Sequence, residues 1–89
     1  MQAERVKVTI RNKLGLHARP AMAFADTASQ FKSDIVVIKG GANYAGKSIM
    51  NLMMLAATQG TELEITAKGD DAADALAALQ KLIESEFDE

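Results

Sequence analysis

The chain has 89 residues, with 10 Lys plus Arg against 12 Asp plus Glu and a single His, for a formal net charge of -2. That length holds one hydrophobic core and excludes a multidomain enzyme, and the absence of Cys excludes disulfide scaffolds, thiolate metal sites and cysteine nucleophiles. The mildly acidic balance and an aromatic content of 4% without Trp speak against direct nucleic-acid binding, which needs a basic face and stacking platforms. Met1 to Lys7 is polar with no apolar stretch behind it, so no secretory signal is read there. Ser48 to Gly60, the longest uncharged run rich in large apolar residues, is too short to cross about 30 Å of hydrocarbon. A cytoplasmic protein of one domain over residues 1–89, without membrane insertion, is expected.

Val6, Val8 and Ile10 alternate with Lys7, Thr9 and Arg11, the period-2 pattern of a strand with one buried face. After the polar turn Asn12-Lys13-Leu14-Gly15, the residues Ala21, Phe24, Ala25, Ala28 and Phe31 recur at spacings of three and four, which predicts an amphipathic helix ending near Gln30. Pro20 fits its first turn, where a missing N–H costs no intrahelical bond. Ser33 to Lys39 contains the β-branched run Ile35-Val36-Val37-Ile38 and reads as a second strand; Gly40-Gly41 turns it into a short third one around Ala42 to Ala45.

Ser48 to Ala57 is rich in helix formers, with Ser48 placed to cap a short helix and Gly60 placed to follow its end. Thr61 to Lys68 alternates again, Leu63, Ile65 and Ala67 on one side against Glu62, Glu64, Thr66 and Lys68 on the other, a fourth strand. Asp70 or Asp71 can cap a last helix whose apolar positions are Ala72, Ala75, Leu76, Leu79, Leu82 and Ile83. The order βαββαβα predicts an α+β fold: a two-layer open-faced sandwich in which three helices cover one face of a four-stranded, mostly antiparallel sheet.

Chemistry concentrates at two helix starts. In Gly15-Leu16-His17-Ala18-Arg19-Pro20, the single His stands where Ser, Thr, Asp or Asn would be the usual N-cap. The first N–H groups of that helix are then available to an outside anion, with Arg19 close by as a cation and fork donor, and a phosphate is the natural guest. No second His, acid pair or metal cluster of recognisable spacing accompanies this His to activate water, so a phosphoryl group on His17 is expected to wait for another protein, with no cofactor or metal. The competing reading makes His17 a surface turn residue that merely caps the helix.

The second start, Gly46-Lys47-Ser48-Ile49-Met50, has two readings as well: Ser48 as an ordinary N-cap, or Ser48 as a phosphorylation site that adds nearly two negative charges. Gly41 to Ser48 also matches the spacing G-x-x-x-x-G-K-S, but a P-loop follows a buried parallel strand of a much larger nucleotide-binding fold. The helix beyond Ser48 is apolar nearly all round. If Leu52, Leu55 and Ala56 face inward, then Ile49, Met50 and Met53 are left over as an adaptable docking patch; otherwise they fill a core short of aromatics.

Gly15-Leu16-His17-Ala18-Arg19-Pro20-Ala21, followed by Lys47-Ser48-Ile49-Met50, resembles the HPr family, the histidine-containing phosphocarrier proteins of the bacterial phosphotransferase system. The likeness spans nearly the whole chain, through the Gly60 turn to the closing Ala-rich helix. It implies a stoichiometric carrier rather than an enzyme, in which His17 accepts a phosphoryl group at Nδ1 from enzyme I and passes it to an enzyme IIA domain. Arg19 and the N–H groups of Ala18 and Arg19 would hold the phosphoryl oxygens. The resemblance also implies that Ser48 is the regulatory site of a bifunctional HPr kinase/phosphorylase and that a transcriptional regulator is a further partner. Ile49, Met50, Met53, Met22 and Lys47 would form the docking surface of a monomer. Ala56 stands where many family members have Gly; the ending Glu86-Phe87-Asp88-Glu89 resembles the nitrogen-related branch, whereas Lys47-Ser48-Ile49-Met50 resembles kinase-regulated branches. The alternative function is a regulatory module that acts by binding alone.

Overall fold

The computed structural model describes residues 3–88. Met1, Gln2 and Glu89, which belong to the expected single domain and to its amino-terminal and carboxy-terminal segments, lie outside the described residues. The elements are β1 (Glu4–Thr9), α1 (Ala18–Ser29), β2 (Asp34–Lys39), β3 (Ala42–Ala45), α2 (Ile49–Leu55), β4 (Glu62–Lys68) and α3 (Ala72–Glu84), with a tight closing turn at Glu86–Asp88. The sheet runs β1-β4-β2-β3, and each neighbouring pair is antiparallel.

The alternating patterns become rows across this sheet. Val6 faces Ile65, Ile65 faces Val37 and Val37 faces Tyr44, so one inward row crosses all four strands. In the run Ile35-Val36-Val37-Ile38 only Ile35 and Val37 are buried; Val36 and Ile38 are half-buried on the open face. Gly40 and Gly41 both have positive φ, 57° and 84°, the conformation that a two-residue hairpin turn between Lys39 and Ala42 needs. Against the inner face, Phe24 of α1, Leu52 and Leu55 of α2, and Leu79 and Ile83 of α3 are buried with Leu63 and Ile65. Truncating one of these, such as Leu79, is expected to cost about 2–5 kcal/mol.

Four local expectations change. The helix expected over Ser48 to Ala57 ends at Leu55, because Ala56 takes the left-handed conformation (φ 55°) and its N–H bonds back to Met53 C=O at 3.2 Å. Ala56 is therefore exposed, and Ala57 turns inward in its place. Gly60 does not follow the helix end; it leads into β4, where its N–H donates to Ile10 C=O at 2.8 Å and extends the β1–β4 pairing. Asp71 occupies the N-cap position of α3 but makes no capping bond, since its carboxylate reaches instead to the segment before β2.

Candidate functional site

The start of α1 is built on a tight turn. Asn12 is buried, its Nδ2 donates to Gly15 C=O at 2.7 Å, and the Gly15 N–H returns to Asn12 C=O at 3.2 Å. Gly15 has φ 68°, and a Cβ there would lie 2.2 Å from the C=O oxygen of Ala57, so the turn requires glycine on two counts. The Leu16 N–H donates to that same oxygen at 2.9 Å. The His17 turn thus rests on the backbone just past the end of α2. Asn12, Gly15 and Ala57 carry this support; the sequence marks Asn12 to Gly15 as a turn and Gly15 as the start of the His17 motif, but not the Asn12 side chain or Ala57 as their support.

His17 is the N-cap residue of α1, with extended backbone (φ -78°, ψ -172°), and its side chain makes no capping bond. This excludes the reading in which the ring serves as a cap. Its carbonyl accepts the Ala21 N–H at 2.9 Å, which opens the helix, and the first turn contains no acidic side chain. The ring is half-buried, Ala18 and Arg19 are exposed, and Pro20 is buried in the first turn. A half-buried His at a positive helix end, with an exposed Arg two residues on, offers a dianion a place that another molecule can reach.

Ser48 behaves differently. Its Oγ accepts from the Asn51 N–H at 3.2 Å and from Asn51 Nδ2 at 3.1 Å, while Asn51 Oδ1 accepts the Ala45 N–H at 3.3 Å. Ser48 is thus a cap, clasped by a residue that the sequence reading passed over. Lys47 is exposed, its Nζ donating to Phe31 C=O at 2.7 Å. The stretch Gly41 to Ser48 contains β3, and a strand cannot wrap a phosphate as a P-loop does.

Ile49, Met50, Met53 and Met54 of α2 are 39–74% exposed, so these side chains do not fill the core. They sit at spacings of three and four, on one side of the helix. Met54 was missed although it stands four residues after Met50. Met22 on α1 and Leu14 in the turn before Gly15 are also exposed. At about 1.5 Å per residue, the path along α2 from Ser48 to Ala56 is roughly 12 Å. The two helix starts therefore flank opposite ends of the patch-bearing helix.

Asp71 closes the far side. Its carboxylate accepts the Lys32 N–H at 2.8 Å, the Ser33 N–H at 3.0 Å and the Ser33 hydroxyl. The Ser33 hydroxyl, and after it the Lys32 N–H, hold the carboxyl below the usual carboxylate range. Among the described residues, no three His, Asp or Glu side chains are grouped so as to hold a metal ion, and no helix is long and apolar enough to cross a membrane.

Residues 4–85 match the family model described as the PTS HPr component phosphorylation site. The chain belongs to the HPr family. It is 52% identical over 82 residues to the phosphocarrier protein HPr of Neisseria meningitidis serogroup A, covering 92% of each chain. It is 44% identical over 80 residues to the HPr-like protein Crh of Bacillus subtilis, covering 90% of this chain and 94% of Crh. The crystal structure of HPr-C-His from Thermoanaerobacter tengcongensis superimposes with a TM-score of 0.94 at 48% identity over 97% of each chain. The HPr fold and the phosphocarrier family expected from the two motifs are those found.

Proposed function

We propose that this HPr-family chain is a stoichiometric phosphoryl carrier with His17 as its acceptor. The observation that carries this reading is the start of α1, where the N-cap side chain makes no capping bond, no acidic group stands in the first turn and Arg19, two residues on, is exposed. In the accepting step the Nδ1 lone pair of His17 forms the P–N bond as the P–N bond to the phosphohistidine of enzyme I breaks, leaving that imidazole with its electron pair. Passing the group to a His of an enzyme IIA domain repeats the exchange with His17 as the leaving group. Bond for bond the steps are alike, so positioning by the Ala18 and Arg19 N–H groups and charge stabilisation by the Arg19 guanidinium supply the catalysis.

Ile49, Met50, Met53 and Met54, with Met22, form the surface that meets enzyme I and enzyme IIA in turn, and monomeric exposure of the α1 start suits that exchange in the cytoplasm. Ser48 is the regulatory position: a kinase that phosphorylates it places a dianion beside the apolar patch and weakens docking by repulsion and desolvation. Lys47, exposed one residue before Ser48, flanks that surface, with its Nζ donating to Phe31 C=O.

The test is intact mass after incubation with phosphoenolpyruvate, Mg²⁺ and purified enzyme I. Wild type should gain one phosphoryl adduct that disappears in acid and moves onto added enzyme IIA, and His17→Ala should gain none. A stable adduct on Ser48 with a serine kinase, and none with enzyme I, would favour the regulatory module instead.

A further inference from the structure

The last turn of α2 contains no basic residue, so nothing on the helix itself offsets the partial negative charge of its final carbonyls. In α3, Lys81 fills that role from within the helix. In α2 the cation comes from the sheet: Lys39, the last residue of β2, donates from Nζ to Leu55 C=O at 3.0 Å in a partly buried bond. The next residue, Ala56, sits in the left-handed conformation that L side chains avoid. Ala57 then offers the C=O that receives the Leu16 N–H and lies against Gly15. His17 follows directly.

We propose that Lys39 is a positioning residue for phosphoryl transfer at His17, holding the end of α2 so that Ala57 C=O stays beneath the Gly15-Leu16 turn. The proposal rests on the carrier function given above. Two effects combine in it. The ammonium fixes Leu55 C=O and with it the unfavourable Ala56 conformation, and it offsets the negative end of α2 beside a turn that must hold a dianionic phosphoryl group. Lys39 touches neither the imidazole nor the phosphoryl group in this account; it acts through Leu55, Ala56 and Ala57.

The experiment uses the whole chain as wild type, Lys39→Met and Lys39→Arg. ³¹P NMR reads the equilibrium ratio of phosphohistidine on the chain to that on enzyme I, and amide hydrogen exchange reads Leu16 against Ile65 in the centre of the sheet. Lys39→Met is expected to lower the exchange constant roughly two- to fivefold and to speed exchange at Leu16 but not at Ile65, and Lys39→Arg to restore both. An unchanged constant in Lys39→Met, beside a normal wild-type adduct, overturns the proposal alone and leaves Lys39 a structural clip. A wild type that forms no phosphohistidine overturns the carrier reading and this proposal with it.

Discussion

The starts of α1 and α2 face the same physical problem, orphan N–H groups at a positive helix end, and meet it in opposite ways. At α2 the hydroxyl of Ser48 turns back onto the Asn51 N–H, and the Asn51 side chain ties it to the strand before it. At α1 the His17 side chain makes no capping bond, and the support comes from below, through Leu16, Gly15 and Ala57. A helix start that forgoes a self-made cap has donors to offer an incoming anion, whereas a capped one is stable and chemically quiet. On that contrast rests the proposed assignment of phosphoryl acceptance to the start of α1 and of regulation to the start of α2.

The sharpest way to break that contrast is to make α1 resemble α2. His17→Ser is expected to abolish the enzyme I-dependent adduct completely while stabilising the fold by about 1 kcal/mol through the new cap. Intact mass and thermal melting check the two halves, and in a domain of this size the melting temperature should rise by about 4 °C or more. Gly15→Ala attacks the support instead. With a positive φ and backbone 2.2 Å from the new Cβ, it should lose at least about 2 kcal/mol in urea unfolding and slow phosphoryl uptake.

On the α2 side the effects are smaller. Ser48→Ala should cost about 1 kcal/mol as the cap is lost, yet retain phosphoryl transfer at saturating enzyme I. Ser48→Asp should keep the cap and raise the enzyme I concentration needed for half-maximal transfer, which steady-state kinetics would show. The smallest expected effect lies at Asp71. Its folded pKa is lowered, so its contribution is fully present above the unfolded value of about 3.9 and is lost as pH falls through the folded value. Urea unfolding between pH 6 and pH 2 should show part of the acid destabilisation of the wild type missing in Asp71→Asn.

Local patterns made most of the fold legible. Val6, Val8 and Ile10, or Leu63, Ile65 and Ala67, alternate because one sheet face is buried, and α1 and α3 carry a helical stripe for the same reason. The end of α2 was not legible, because Ala56 is a good helix former by propensity and only its left-handed backbone stops the helix. Asp71 reads as a cap from its neighbours, but its partners Lys32 and Ser33 lie 39 and 38 positions away. Phe87 likewise gave no periodic signal; a turn with positive φ at Glu86, Phe87 and Asp88 brings its ring into the core. At the candidate site His17 and Arg19, the proposed acceptor and its cation, share one motif in the sequence; Asn12 and Asn51 act on neighbours three residues away, whereas Ala57 meets Gly15 and Leu16 through the folded chain.

Phosphoryl acceptance at the start of α1 is tested most directly by ¹⁵N and ³¹P NMR spectra of the chain held phosphorylated by phosphoenolpyruvate and enzyme I. Phosphorus coupled to Nδ1 of His17 is expected, with downfield movement of the Ala18 and Arg19 amide protons and the Ser48 and Asn51 amides unmoved. Phosphorus on Ser48, or on His17 with Ala18 and Arg19 unmoved, would contradict the claim that the uncapped start of α1 is what receives the phosphoryl group.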